Sequence, residues 1–554
     1  MALLGGDDSN RGNGALYELY LSFTMDVPIK KRRWSPIVIG LVAMVVSGCM
    51  SRSSQHTQHV LRLRLAGEPS VLNPLLITDT GSSAVASQVF SGLVRFNEQF
   101  QLVPDLATHW VISDGGKRLT FYLRRDVKWH DGHPFTSRDV IFTFQTLLNP
   151  RTNTVRRSDY MVKGQPIQFA APDPYTVVVT LSQPFAPLLY RMGMEIIPAH
   201  LLEGKDINTD PFNRHPIGTG PFQFDSWQPN QFVKLKAYAH YHGGKPRLKT
   251  VLFRIIPEYN VAKSALIKGD IDLLEGVSPL DVPALSRRPT LRVVTYDEWL
   301  YSYMGFNLKN PHLSNPLVRR AMVHAVDRDL LIKAVLFGYG RVAHVPISPL
   351  SWAYPKPITP LSYDPKKAIS LLEQAGYVRR KDGWFYHQNR RLALTVLVSK
   401  GGKAGPKNAE IIQRYFKMVG IQLTIQQLEW QAFLKVVTGP SDPKPFDLCL
   451  LSWSLSPDPD AYSIWHSSQY PKGFNFVGYH NPQVDQLIEA GRLVNDQASR
   501  QRIYHQAFRL IAQDTPYLFL YYPRTITAVN RRLTGLSHPG PAGLLVTIET
   551  VGAP

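Results

Sequence analysis

Leu392-Ala-Leu-Thr-Val-Leu-Val398, Ala409-Glu-Ile-Ile-Gln-Arg-Tyr-Phe-Lys-Met418, Ile421-Gln-Leu-Thr-Ile-Gln-Gln-Leu428 and Phe446-Asp-Leu-Cys-Leu-Leu-Ser-Trp453 follow one another with short joins. The first, third and fourth are apolar runs of strand length. The second repeats its apolar residues at helical spacing. A short helix near Trp430 to Val437 separates the last two strands. This β-α-β-α-β order predicts a mostly parallel sheet with helices on both faces, an α/β fold.

Reading outward, the same half carries clear helix starts. Ser314-Asn315-Pro316 opens a helix through Leu336, Asp364-Pro365 opens one closed by Gly376, and Asn481-Pro482 opens a third. An Asn, Asp or Ser side chain accepts an orphan amide, and the following proline is preset for the first turn. Residues 60–305 read differently, as short strands punctuated by Pro and Gly. Examples are Arg62–Leu65, Leu119–Leu123, Thr176–Thr180, Phe232–Lys236 and Val251–Ile255. Tyr517-Leu-Phe-Leu-Tyr-Tyr522 is a late strand that can return to this first half. Two lobes with at least two chain crossings follow.

The N-terminal region addresses the protein. Lys30-Lys31-Arg32-Arg33 precedes an apolar run from Ile37 to Val46, and then Ser47-Gly48-Cys49. Ten apolar residues are half of a membrane span, so the run reads as a secretory signal. Small residues before a cysteine resemble the bacterial lipobox, in which Cys49 receives a lipid. Asp7, Asp8 and Glu18 do not suit a signal, so Met25 is the expected start and residues 1–24 an artefact of start-codon choice. No later run reaches 18 apolar residues. Residues 50–59 read as a solvated tether, and His56 and His59 have no other metal-like ligands nearby. A lipidated Cys49 leaves Cys449 without a partner, as an inert core thiol.

The 554 residues are 44% hydrophobic and 19% charged, the composition of a globular chain, with a net charge of +20. Residues 1–48 hold five basic and four acidic side chains, so the remainder keeps +19. Such a balance suits anionic surroundings. The basic residues are scattered, without the aromatic-interleaved helix of a nucleic-acid binder, and export argues against that class.

Signatures of chemistry are absent: no G-x-S-x-G, no H-E-x-x-H and no phosphate loop. Gly218-Thr219-Gly220 precedes a strand, so it reads as a turn and not a phosphate cradle. Asp458-Pro459-Asp460 and His130-Asp131-Gly132 read as turn chemistry. No cofactor, no metal and no catalytic residue is expected.

Several segments in order are similar to the family 5 extracellular solute-binding proteins, the peptide, dipeptide and nickel receptors of ABC importers. They are Glu68–Pro74, Val103–Trp110, Leu119–Val140, Gly218–Phe222, Lys268–Asp272, Asn315–Arg328, Leu371–Tyr377, and Trp453 with Asp458-Pro459. The resemblance implies a class II periplasmic-binding-protein fold: two α/β lobes, a cleft, and two hinge segments. Lobe 1 would comprise residues 60–306 plus 522–554, with an inserted subdomain at about 78–215. Lobe 2 would comprise 307–521, with residues 1–48 as extension and signal and 49–59 as lipidated tether. The implied ligand residues are Thr78, Thr80, Gly81, Ser82, Glu275, Gly276, Val277, Tyr301, Tyr303, Trp430, Trp453 and Ser454.

One departure concerns the ligand. Peptide receptors of this family place an aspartate about three residues after the tryptophan matched by Trp453, to pair with the ligand's α-amino group. Here the run is Trp453-Ser-Leu-Ser-Pro-Asp458, and no carboxylate occupies that place. Either the ligand lacks a free amino terminus or another acid such as Glu275 replaces the contact. The expected protein is a monomeric, non-enzymatic lipoprotein on the periplasmic face of a bacterial membrane or the cell surface. It would pass a peptide-like small solute to an ABC transporter permease. Alternatives are a nickel or metal-chelate receptor, and a surface receptor or chaperone outside transport on the same fold.

Overall fold

The alternating Arg62-Leu63-Arg64-Leu65 lies in a strand, Val60–Leu65 (β1), whose leucines are buried while its arginines are not. The structure, a computed structural model, describes residues 59–400, 404–536 and 544–553. The N-terminal extension, the signal, Cys49 and the tether up to Gln58 lie outside the described residues. His59 onward forms one compact unit.

After β1 comes helix Thr80–Val89 (α1), capped by Asp79, which accepts from Ser82 N at 2.7 Å. Strands Ala107–Ser113 (β2), Arg118–Leu123 (β3), Gln168–Asp173 (β4) and Thr176–Thr180 (β5) form an antiparallel sheet ordered β2-β3-β5-β4. Helix Ser137–Leu148 (α2) packs on it, opened by a Thr136/Asp139 capping box. This sheet and helix occupy the stretch expected as an insertion. Their buried side chains are continuous with the core around β1. Phe222–Gln228 (β6), Phe232–Ala237 (β7) and Thr250–Ile255 (β8) complete a sheet ordered β1-β8-β7-β6, in which β1 and β8 are parallel.

Gly218 and Gly220 fix how β6 begins. A Cβ on Gly218 would lie 1.9 Å from the Val89 carbonyl oxygen, and one on Gly220 2.7 Å from that of Gln88. The glycines therefore allow close approach to the end of α1, and no phosphate cradle is involved. His130 locks the same corner, accepting from Gly218 N at 3.2 Å and donating to Gly220 O at 3.0 Å. Burial pushes its imidazole down to about 4.

Strands Leu273–Glu275 (β9) and Leu291–Asp297 (β10) precede Leu300–Phe306 (β11). The next expected helix is broken in two, Pro316–His324 (α3) and Arg328–Leu336 (α4). Asp327 interrupts it by capping α4, accepting from Leu330 N at 2.9 Å. Helix Pro365–Gln374 (α5) begins after its Asp364 cap as expected. The decisive run then appears as Ala393–Ser399 (β12), Ala404–Met418 (α6), Gln422–Leu428 (β13), Trp430–Thr438 (α7) and Leu448–Ser454 (β14). Helices Pro482–Leu493 (α8) and Gln497–Asp514 (α9) and the 14-residue strand Tyr517–Asn530 (β15) finish the core.

The large sheet is ordered β9-β15-β11-β14-β12-β13. β12 is parallel to both β13 and β14, whereas β11 is antiparallel to β14 and β15. It is therefore mixed, not mostly parallel: β11, the strand of the first crossing, runs against both of its neighbours, while β15 keeps the direction of β14. β15 spans both halves. Tyr517–Tyr521 pairs with β11, and Arg524–Asn530 with β10. The buried clusters divide accordingly, with Tyr522 on one side and Ile526 on the other. On the first crossing, Tyr301, Tyr303 and Phe306 pack with the second half. The crossings thus fall at about 297–300 and 522–525, and the expected boundary at 306/307 lies at the end of β11. Asp297 clamps this junction, accepting from Arg341 at 2.6 Å and facing Arg524 at 3.1 Å.

Candidate functional site

Two cavities open at the carboxyl ends of parallel strands, where open α/β sheets place their ligands. The first, about 570 Å³, lies beyond the end of β1 and is lined by Arg64, Gly67, Thr80, Gly81, Glu275 and Gly276 among others. The second, about 440 Å³, lies beyond β12 and β14 and is lined by Ser302, Ser399, Asn408, Trp430, Ser452 and Tyr521 among others. Both border β15. Tyr521 lines the second cavity, while Glu275 of the first pairs with Thr527. Six residues of strand separate these points, about 20 Å. A third cavity of about 740 Å³ lies within the first lobe and shares Glu275 and Leu545 with the first.

The acidic side chains around these walls differ in how they are held. Glu68 is occupied by Trp227 Nε1 and Asn230 N, each at 2.8 Å. Asp79 caps α1. Glu275 faces the open cavity and accepts a long hydrogen bond from Tyr296 OH at 3.4 Å. Loss of hydration between the walls pushes its carboxyl above the usual range. The Tyr296 hydrogen bond opposes this, and the Glu298 charge adds to it. Glu298 accepts from Thr525 Oγ1. Among the described residues, neither glutamate has a cationic partner within ion-pair distance.

The acids that follow Trp453 are spoken for. Asp458 forms a two-pronged pair with Arg500, at 2.8 and 3.0 Å, and both side chains are almost wholly buried. Arg500 Nε also donates to Gly491 O at 2.9 Å. Asp460 faces Arg492 at 3.3 Å. Breaking a buried pair of this kind leaves an uncompensated charge, so neither aspartate is available to a solute.

The expected ligand residues separate into groups. Thr80, Gly81, Glu275 and Gly276 meet in the first wall, and Trp430 stands 47% exposed in the second. Thr78 is exposed and lines neither of these two cavities. Ser454 is exposed at the end of β14, and Trp453 is half-buried, stacked on Phe476 at 5.5 Å and Tyr303 at 6.3 Å. Four others sit where no solute reaches them. Ser82 is buried, with its hydroxyl accepting from Ser70 N at 3.0 Å. Val277 packs beneath β15, which its amide bonds at 2.9 Å. Tyr301 and Tyr303 have no exposed surface and pack among aromatic side chains, Tyr303 on Tyr517 at 4.0 Å. The face of β11 that carries Tyr301 and Tyr303 is covered by the aromatic cluster of the second half.

Sequence reading missed Ser302, Asn408 and Tyr521. Asn408 is 3% exposed. Its Nδ2 donates to Tyr521 OH at 2.7 Å, while Oδ1 has no partner among the described residues. An unpaired buried amide atom costs about 1–3 kcal/mol. The signal was present: Asn408 precedes Ile412 by four residues, a polar intrusion on the buried stripe of α6.

The two halves also touch away from these walls. Ala186 N donates to Arg492 O at 2.8 Å, the Arg492 guanidinium lies 4.8 Å from the Phe185 ring, and Phe100 packs on Trp299 at 5.2 Å. These contacts close the inserted sheet region against α8 and the first crossing. Among the described residues, no group of three or more His, Cys, Asp or Glu side chains is placed to hold a metal ion, and no helix is long and apolar enough to cross a membrane.

Residues 101–474 match the model of the bacterial extracellular solute-binding proteins, family 5 Middle. The chain is 34% identical over 485 residues to the oligopeptide-binding protein AppA of Bacillus subtilis, covering 85% of this chain and 88% of the relative. A solved structure of AppA from Bacillus subtilis in complex with a nonapeptide superposes with a TM-score of 0.72 at 33% identity, over 89% of this chain and 99% of that one. NikZ from Campylobacter jejuni, solved with Ni(L-His), gives 0.74 at 28% identity over 89% and 99%.

Proposed function

The chain belongs to the family 5 bacterial extracellular solute-binding proteins, and on that premise we propose that it captures a peptide-like solute between its two strand-end walls and delivers it to an ABC import permease. The observation that carries this reading is the pair of cavities bordering one strand about 20 Å apart. One wall offers the uncompensated Glu275, the other an aromatic face at Trp430 and unpaired amide capacity at Asn408. A peptide supplies what these walls lack: a cationic amino end for Glu275, apolar side chains for Trp430 and backbone groups for the exposed polar atoms. With Asp458 and Asp460 committed to arginines, the ammonium goes to the first lobe.

The nonapeptide held by AppA supports the ligand class. The hinge reading assigns 60–297 plus 525–553 to lobe 1 and 300–522 to lobe 2, with closure about the Asp297 clamp. The family description supports an extracytoplasmic location, and the sequence motif at Cys49 supports lipid anchoring. A metal-chelate reading rests on the likeness to NikZ. Calorimetry on ligand-stripped protein separates the two. Peptide binding with a negative heat-capacity change, weakened by Trp430→Ala, is the expected result. Binding of Ni(L-His) without binding of any peptide overturns the peptide reading.

A further inference from the structure

The lobe that carries α6 bears a small antiparallel sheet unlike its surroundings. Its strands are Val378–Arg379, Phe385–His387 and Arg390–Arg391. Within these fourteen residues stand five cations, Arg379, Arg380, Lys381, Arg390 and Arg391, all exposed, and one acid, Asp382. Asp382 is used internally: it accepts from Tyr386 OH at 2.7 Å and from Arg391 Nη2 at 3.0 Å. These bonds hold its carboxyl below the usual range, Tyr386 contributing most. Four cations therefore face outward without a paired carboxylate within ion-pair distance among the described residues.

The sheet is rigidly built. Arg379 Nε donates to Gly383 O at 3.0 Å, Arg380 lies 4.1 Å over the Tyr386 ring, and Arg391 lies near both Tyr386 and Trp384. Phe385 is fully buried beneath and ties the sheet to the end of α6 through Gly420 O at 2.9 Å, close to the exposed Lys417. Val378 is 66% exposed at its rim. The sheet sits at the amino end of β12, whereas the cavity wall lies at the carboxyl end. Seven residues of strand separate them, about 23 Å. A partner seated on the sheet leaves the cleft open.

We propose that the Val378–Arg391 sheet is a docking surface for an anionic phospholipid bilayer. Clustered arginines and lysines meet the headgroup charge, and half-buried Trp384 and Tyr386 have the amphipathic rings that settle at a membrane interface. Charge complementarity commits the surface to this occupant. One aromatic pair between outward cations suits a bilayer surface, and the single carboxylate within the fourteen residues, Asp382, is held internally by Tyr386 and Arg391. Docking there would hold the lobe against the membrane while the other lobe opens and closes. The inference does not depend on what the cleft binds.

The test uses residues 59–554, the unit that is compact on its own, so that neither signal nor lipid contributes. Co-sedimentation is measured with phosphatidylcholine vesicles containing about 30% phosphatidylglycerol as the anionic lipid. The protein is expected to bind these vesicles, to be released by high salt, and to ignore pure phosphatidylcholine. Joint Arg379→Gln, Arg380→Gln, Lys381→Gln and Arg390→Gln is expected to lower partitioning by roughly several hundredfold, given about fivefold per cation. The charge-preserving Arg379→Lys, Arg380→Lys, Arg390→Lys retains it, which excludes misfolding as the cause. Arg287→Gln with Arg288→Gln, exposed in the other lobe, leaves binding within about twofold. Absence of binding to the anionic vesicles overturns the proposal, as does an equal loss in the Arg287/Arg288 variant, which would assign the effect to overall charge. Unchanged solute binding in the sheet variants keeps this result separate from the cleft reading.

Discussion

Replacing Glu275 by glutamine removes a charge and leaves the shape of the first wall intact. In the proposed complex Glu275 accepts a charge-assisted hydrogen bond from the amino end of a peptide. Such bonds contribute about 1.5–3 kcal/mol, or roughly 10- to 150-fold in Kd. The lower part of this range is expected, because Glu275 is exposed in the open cavity and water screens its charge, although no cation stands within ion-pair distance of it among the described residues. N-acetylation of the peptide removes the partner charge and should have the same cost. The two changes therefore form a cycle. Each alone weakens binding by the amount above, and both together weaken it no further than one does. Calorimetry with a free and an acetylated peptide, on wild type and Glu275→Gln, gives all four values. Glu275→Asp, which keeps the charge, is expected to restore part of the difference. Additive losses, or no loss in Glu275→Gln, would refute the assignment of the ammonium to this lobe.

Asp458→Asn leaves the Arg500 guanidinium buried and under-paired, and is expected to lower stability by about 3–5 kcal/mol in denaturant unfolding followed by far-UV circular dichroism. Gly218→Ala drives a methyl group into the Val89 carbonyl and should cost about 3 kcal/mol in thermal unfolding, whereas Gly67→Ala, with nothing within 4 Å of the added carbon, should be within about 0.5 kcal/mol of wild type. His130 is held neutral in the fold down to about 4, while the unfolded chain takes up its proton near 6.5. Its contribution is therefore complete above 6.5 and is lost as pH falls from 6.5 to about 4. His130→Gln should flatten the slope of unfolding free energy against pH in that window, and an unchanged slope would show that His130 titrates normally.

The strands and helix starts were legible because they depend on neighbours in sequence. The Asn481, Asp364 and Asn315 caps each bond an amide two or three residues away, so the signal and its cause lie in the same short stretch. The break at Ala325–Asp327 was hidden because Asp327 reads equally well as a helical residue. The mixed direction of the large sheet was hidden because β11, which runs against both of its neighbours, pairs with strands from distant parts of the chain. The family resemblance, not local pattern, suggested Thr80, Gly81, Glu275 and Gly276, and the structure brings these four to one cavity. Tyr301 and Tyr303 were misplaced because an aromatic residue suits a cleft and a covered interior strand equally. Only the distant side chains packed on that face of β11, such as Trp465, Tyr517 and Phe519, decide between them. Cys449 was read correctly as a core thiol. It is fully buried, and burial pushes its thiol up to about 12.

The account stands on one arrangement, a solute held between the Gly276 wall and the Ser452 wall. A crystal structure of residues 59–554 grown with a mixed pool of short peptides tests it most directly. The account predicts extended density bridging the two walls, with its amino end at Glu275 and a side chain against Trp430. Density confined to one lobe, or ordered peptide elsewhere with both walls empty, would contradict it.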